Sequence, residues 1–381
     1  MKIAVIGSGI SGLYISLLLL QKYNNAEITI YEKNNKIGGR IKTSKFDNIN
    51  IIEGAGVGRF KSDKLLYNLC TNLNVSTNKY TSKPSFVKIN PINIKNNVDY
   101  LKKHIIYYDR KSYDFRTFGI KVLGYELYEE FVKTIGETDY ELEDFIDVLY
   151  NYGFEKLSFY SGFEAFSVNW NELLNSLNEI LKTNIVKGRQ INKISQVNDK
   201  YKINRKTYNK VIIATEIASV KKLLPKINLY DNIKCQPFAR LYVKLDCSLN
   251  LTSKTVITLQ PFQKIIEINT DKNIYMISYS DNKSAEYWKN KSKSGIINSV
   301  ESGIKFLFNQ NVKVLKHKLI YWKCGTHFFL PLSDEFDSRD SFLEKAQNPY
   351  KNIFVVGEAF SNNQGWVEGS LESVHAVINK I

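Results

Sequence analysis

An α/β fold is predicted, with a parallel sheet in one domain and a second, mixed α+β domain, and three observations predict it. Lys2-Ile-Ala-Val-Ile6 is a short apolar run that reads as a buried strand and opens straight into Gly7-Ser8-Gly9-Ile10-Ser11-Gly12. Two further apolar runs, 211–214 and 353–356, have the near-continuous pattern of parallel strands and end in small residues. With 381 residues, 43% of them apolar, the chain is long for a single core, so two domains are expected.

The first forty residues set the organisation. After the glycines, residues 13–20 read as a helix. Glu27-Ile-Thr-Ile-Tyr31 reads as a second strand, closed by the acid Glu32. A glycine triplet alone is a weak signal. Here strand, glycines, helix, strand and acid come in the order a dinucleotide-binding unit requires. Gly7 allows the tight turn, Gly9 lets backbone approach a pyrophosphate, and Gly12 lets the helix pack close to the sheet. The N–H groups at the helix start, at Ile10 and Ser11, then face phosphate oxygens, where the helix dipole favours negative charge. Glu32 is placed to accept from the ribose hydroxyls. The alternative is a β-α-β unit without a ligand.

Glu32-Lys33-Asn34-Asn35-Lys36-Ile37-Gly38-Gly39-Arg40 resembles the stretch that flavin-containing amine oxidases carry after their ribose-binding acid. The resemblance implies a Rossmann-like FAD-binding domain beside a substrate domain. In it Lys33 lies by the nucleotide, Gly38 and Gly39 give a close backbone passage, and Arg40 meets the pyrophosphate. The family's second arginine is replaced by Lys36. Glu53-Gly54-Ala55-Gly56-Val57 is similar to the family segment beside the isoalloxazine. Residues 184–194 match a return strand whose backbone near Ile191 meets the adenine, and Ala214 ends a parallel strand at the cofactor edge. Near the other end, Gly357-Glu358-Ala359 and Gly365-Trp366-Val367-Glu368-Gly369-Ser370 resemble the family's closing motif, with serine in place of alanine.

That second signature implies roles. Glu358 would lie along the ribityl–pyrophosphate arm, and the Val367 amide would face the flavin C2 carbonyl. Trp366 would form one wall of an aromatic cage around the amine nitrogen. His327 and Phe328, in a loop expected after Trp322, are candidates for the other wall. Many relatives place a lysine, bridged by water to N5, where this chain has Arg240, with Lys244 on the same strand face. Arginine does not lose its proton, so Arg240 cannot serve as a base. Cys324 is near, but out of register with, the cysteine that tethers flavin in some relatives, so FAD is expected to be non-covalent.

Elsewhere the pattern is coarser. Helical spacing marks 64–73, 171–181 and 294–308, and a terminal helix opens at Val367. Residues 80–116 are aromatic and basic with weak periodicity. Residues 125–152 look helical and acidic, either as a solvated face or to concentrate cationic substrates. A hairpin is expected at 200–203 and 206–208. Strands are expected at 237–246, 255–259, 264–269, 274–280 and 312–322. In the first of these, Arg240, Tyr242 and Lys244 alternate with Leu241, Val243 and Leu245. The expected division is 1–60, 183–235 and 350–381 for the FAD-binding domain, and 61–182 with 236–349 for the substrate domain.

Composition removes some classes of function. No apolar run approaches the roughly 20 residues of a membrane span, and the opening strand leaves no room for a signal peptide. A soluble, cytoplasmic or otherwise intracellular protein without membrane contact is expected. Cys70, Cys235, Cys247 and Cys324 are scattered, without metal-type spacing, so no metal is expected and the thiols are expected to be reduced. The net charge of +15 is spread along the chain and reads as a basic surface, not a nucleic-acid site. The expected activity is oxidation of a C–N bond in an amine or amino acid, with oxygen as acceptor. The same fold also serves desaturases, protoporphyrinogen oxidases and sugar mutases. A basic, non-catalytic polyanion-binding protein is the third alternative.

Overall fold

The structure is a computed structural model that describes residues 1–154 and 162–381. The chain forms two compact units. The first is Met1–Tyr80, Ala165–Lys234 and His327–Ile381, and the second is Thr81–Glu164 and Cys235–Thr326. The first unit therefore takes in 61–80, 165–182 and 327–349, beyond the segments expected for it.

In chain order the first unit contains β1 (Lys2–Ile6), α1 (Ile10–Lys22), β2 (Glu27–Tyr31), α2 (Lys64–Asn72) and α3 (Trp170–Leu181). These are followed by β3 (Ile185–Val186), β4 (Lys210–Ile213), β5 (Ile353–Val355) and α4 (Val367–Ile378). The five strands make one parallel sheet in the order β5-β4-β1-β2-β3. Its strands are apolar on both sides because both faces are covered. Ile3, Val5, Ile28 and Ile30 pack under Leu13 of α1, Leu66 of α2, Leu173 of α3 and Leu371 of α4. Alternate residues Ala4, Ile6, Val211 and Ile213 face Val220, Phe342 and Ala346 on the other side. The apolar stripes of α2 and α3 are buried in that core, which is why 61–80 and 165–182 belong to it.

The expected return strand over 184–194 is cut to Ile185–Val186. Gly188, at φ +66°, turns the chain there, and the Arg189 N–H donates to the Glu32 carbonyl instead of continuing the ladder (2.7 Å). The hairpin is found, as Lys200–Ile203 paired with Lys206–Tyr208.

The second unit is built on a six-stranded sheet. In spatial order its strands are Val314–Phe329, Ile233–Leu245, Ile274–Asp281, Lys264–Asn269, Thr255–Ile257 and Ser85–Phe86. Leu241, Val243 and Leu245 point to one face and pack with Trp288, Ile296, Val300 and Ile304 from two helices. A bulge between Leu241 and Tyr242 interrupts the register with Ile274–Asp281. A separate aromatic core gathers Val98, Phe115, Phe118, Tyr128, Phe131 and Phe145.

Three expectations are corrected here. The helical reading of 125–152 breaks after Tyr125–Ile135, because Gly136 adopts a left-handed conformation (φ +71°) and ends the helix. The weakly periodic stretch 80–116 holds the helix Ile94–His104 and the start of Phe115–Leu123, capped by the side chains of Asn93 and Asp114. Last, the cysteines are not all reduced. Cys235 and Cys324 sit on neighbouring strands with Cα atoms 5.2 Å apart and form a disulfide. Thiol titration of the unfolded protein should find two groups, Cys70 and Cys247, and four only after reduction. Four before reduction would contradict the pairing.

Candidate cofactor and active site

The site of the first unit begins at the carboxyl ends of β1 and β4. The Gly7 N–H donates to the Tyr31 carbonyl (2.8 Å), and Gly7 turns the chain at φ +104°. A β-carbon on Gly7 would sit 2.3 Å from the Ala214 carbonyl oxygen, and one on Gly12 would sit 2.1 Å from the Gly7 oxygen. Strand, turn and helix are thus in backbone contact. Gly9 differs, since a β-carbon there would meet nothing within 4 Å. Gly9 is also the residue before α1, and no side chain caps that helix. Open space therefore lies over a helix start whose N–H groups, through Ile10 and Ser11, favour an anion.

A second glycine pair lines the same space. The Gly38 N–H donates to the Ser8 carbonyl (2.9 Å), and a β-carbon on Gly39 would stand 3.3 Å from the Gly9 Cα. Glu32 is 6% exposed; its carboxylate accepts from the Ser8 N–H (3.0 Å), the Ser8 hydroxyl (2.6 Å) and the Asn34 N–H (2.8 Å). It thus fixes the glycine turn. An ionised carboxylate offers about four acceptor positions, so room for one ligand hydroxyl remains. Lys33 is exposed, its ammonium 3.9 Å from Glu216. Ile191 buries its side chain in the core under the sheet.

Arg40 joins this half to the C-terminal half. Its Nη1 donates to Glu358 Oε1 at 2.6 Å. The Arg40 carbonyl accepts from the Ala55 N–H (3.0 Å), and Gly54 passes so close that a β-carbon would strike that carbonyl. The Gly56 carbonyl accepts from the Trp170 indole (3.1 Å), and Val57 next to it is half-buried.

Glu358 follows β5 and Gly357, and is 4% exposed. Its Oε1 also meets His327 Nδ1 (2.5 Å), while its Oε2 accepts from the Gly365 N–H (3.2 Å). Burial alone would raise its pKa, but His327 and Arg40 hold the carboxyl well below the usual carboxylate range. The other nitrogen of His327 accepts from the Ile217 N–H at 3.4 Å, so both ring nitrogens are engaged. The loop expected after Trp322 is instead strand as far as Phe329, since that segment pairs beside Ile233–Leu245. Phe328 lies at its end, 5% exposed.

Trp366 precedes α4, whose start at Val367 also lacks a side-chain cap. The Arg59 guanidinium stacks 4.1 Å from the Trp366 ring. Asp63 and Asn363 hold Arg59 in turn, each through a 2.8 Å bond. Glu368 points away from this space and accepts from the Leu65 and Leu66 N–H groups (2.8 Å each), capping α2. Glu368→Ala should lower unfolding stability by about 2–3 kcal/mol in urea titrations, because two N–H groups at the start of α2, one buried and one partly buried, lose their acceptor.

The sequence reading missed Arg59 and Glu368's capping role. The available signal was Arg59 four residues before Asp63, just past Glu53–Gly56. Arg240 and Lys244 belong to the second unit. There the Arg240 guanidinium lies 5.1 Å from the Tyr279 ring centroid.

A parallel sheet with a glycine turn, two uncapped helix starts and a buried carboxylate clasping an arginine define a dinucleotide-binding protein. The chain belongs to the flavin-containing amine oxidoreductase family, which residues 129–375 match; residues 5–65 match an NAD(P)-binding Rossmann-like domain. Its cofactor is FAD, and it is an FAD-dependent oxidoreductase. No curated protein matches the chain. Similar solved folds include a protein assigned as a protoporphyrinogen oxidase from an Exiguobacterium species (14% identity, TM-score 0.75). Two redesigned variants of a putrescine oxidase are also similar (11% and 12% identity, TM-scores 0.80 and 0.79). Each comparison covers 100% of this chain and 98% of the other. At such identities they share the fold.

The residues present fit FAD. Open space over Gly9, the two uncapped helix starts and the partly exposed Arg40 suit a pyrophosphate. Among the described residues the Thr215 hydroxyl beside Gly7, and the Gln364 amide oxygen beside Gly365, are buried without partners. Among the described residues no helix is long and apolar enough to cross a membrane.

Proposed function

We propose that the protein is an FAD-dependent amine oxidase. Its substrate would be an amine or amino acid whose C–N bond is oxidised to an imine, which water then hydrolyses. Bound FAD supplies a two-electron acceptor for a hydride from the carbon next to nitrogen, and oxygen returns it to the oxidised form with release of peroxide. Trp366 on Arg59, next to the Arg40–Glu358 clasp, is the observation that carries this reading.

Each residue then has a task. Gly9, Gly39, Ile10, Ser11 and Arg40 hold the pyrophosphate, and Glu32 holds the ribose. Glu358 fixes Arg40 and stays ionised while doing so. The Val367 N–H and the dipole of α4 favour negative charge at the flavin carbonyl. Trp366 orients the amine nitrogen, and Arg59 keeps that ring in one position. Phe328 suits the second wall better than His327, whose ring is already bound at both nitrogens. Arg240 can stabilise an anion or bind a substrate carboxylate, but moves no proton. Cys324, bonded to Cys235, is not free to tether the cofactor, which supports non-covalent FAD. The first unit is assigned the cofactor and the second the substrate contacts.

Anaerobic addition of a panel of amines and amino acids tests the reading. At least one should bleach the flavin absorbance, and peroxide should form on admitting air. If none bleaches it, the reading fails. Reduction and turnover without peroxide would move the protein to a desaturase or dehydrogenase chemistry of the same fold.

A further inference from the structure

In the second unit the helix Lys293–Phe308 carries two stripes of side chains. Ile296, Val300, Ile304 and Leu307 turn inwards and pack with Trp288, Leu241 and Val243. Ser299, Ser302, Gly303 and Phe306 recur at helical spacing beside them and line a cavity of about 310 Å³. The buried Phe262 forms another wall. A β-carbon on Gly303 would stand 2.3 Å from its ring, so helix backbone lies directly against that ring. Pro261 and Tyr287, the latter from the helix Asn282–Lys289, complete the lining. These helices cover the sheet face of Leu241, Val243 and Leu245, whereas Arg240 and Lys244 alternate to the opposite face. The cavity therefore belongs to neither the cofactor residues nor the substrate residues named above.

Its chemistry is aromatic with a positive rim. Phe306 is 62% exposed and Tyr287 is also exposed, so two rings that line the space remain open to solvent. Each ring carries a lysine. Lys88 Nζ lies 5.5 Å from the centre of the Phe306 ring, and Lys291 Nζ lies 4.5 Å from that of Tyr287. Neither lysine forms an ion pair among the described residues, and no acidic side chain among them lines the cavity. The Tyr287 and Ser299 hydroxyls share one hydrogen bond (3.0 Å), which leaves one hydroxyl proton unused. A ligand that uses all of these groups has a flat apolar body and a negative end. The volume is at the small end of the range for ligand sites, room for one or two rings.

We propose that this cavity binds a small aromatic carboxylate, its ring against Phe262, Phe306 and Tyr287 and its negative charge met by Lys88 and Lys291. The site stands whether or not the protein oxidises amines.

The holoenzyme is titrated with phenylacetate and with phenylacetamide, which has the same ring and no charge, and binding is followed by calorimetry. Phenylacetate should bind the wild type about 10-fold more tightly than the amide, and its affinity should fall with added salt. Phe306→Ala should weaken both ligands about 10-fold. The double variant Lys88→Glu, Lys291→Glu should weaken phenylacetate by at least about 10-fold and leave the amide unchanged. Ser302→Trp, at an exposed helix position, fills the cavity and should abolish binding of both, which keeps the test open if Phe306→Ala does not fold. No binding to the wild type, or binding that none of these variants changes, would overturn the site. Equal affinity of the wild type for phenylacetate and the amide would overturn the assignment of an anionic ligand.

Discussion

Glu358→Gln is expected to yield a colourless, less stable protein. The substitution keeps the shape of the side chain and removes its charge, leaving Arg40 and His327 around a neutral amide. Losing one partner of a buried ion pair costs about 3–5 kcal/mol, and the lower end applies because Arg40 is 34% exposed. The urea midpoint should fall accordingly. The ratio of flavin to protein absorbance after gel filtration should drop towards zero. The pH dependence follows from the depressed pKa of Glu358. A carboxylate whose folded pKa lies below its unfolded value, about 4.3, contributes fully above that pH and loses its contribution as pH falls further. The stability gap between wild type and variant should therefore be level from about pH 6 to 9 and narrow below about pH 4. A gap that widened in acid would show that the carboxyl is not held in its ionised form.

The second large effect contrasts two neighbouring glycines. Gly12→Ala places a methyl 2.1 Å from the Gly7 oxygen and 3.2 Å from the Ala214 side chain. Both obstacles belong to the rigid sheet edge, so α1 must move away from β1. Overpacking of this kind costs about 1–3 kcal/mol, and the glycine turn would lose its shape with it. Gly9→Ala is the opposite case. Its backbone (φ −67°) accepts alanine, and the methyl meets no protein atom. It should unfold like the wild type and still bind FAD poorly, because the methyl occupies the place of the phosphate. If Gly9→Ala binds FAD normally, the pyrophosphate does not pass over that residue.

The parts of the site that could be read in advance are those coded over short spans. The turn from Gly7 to Gly12, the acid at Glu32, the pair Gly38 and Gly39, and the segment from Gly357 to Val367 each carry their meaning locally. Backbone approach and helix ends are local properties, so spacing alone exposes them. What escaped were pairings made by the fold. Cys235 and Cys324 are 89 residues apart and become neighbours only because two strands of a mixed sheet lie side by side. Arg59 reaches Trp366 from near the other end of the chain. The acidic run 125–152 looked uniform, yet it divides. Glu126 and Glu130 face solvent, while Glu137 and Asp139 turn inwards after a left-handed glycine that periodicity does not reveal.

The clasp between Arg40 and Glu358 also has a consequence for how the protein is made. The first strand and its glycine turn leave the ribosome some two hundred residues ahead of β4, its neighbour on one side, and further ahead of β5. Until Glu358 and the last helix have been translated, Arg40 lacks the Glu358 carboxylate and the nucleotide has half a cradle. The nascent chain must hold an incomplete, apolar sheet edge while the residues between β1 and β4 are made, a stage at which aggregation and chaperone capture compete with folding. Riboflavin supply during expression should thus matter once Glu358 and α4 have been made, as a sink that draws chains into the native state.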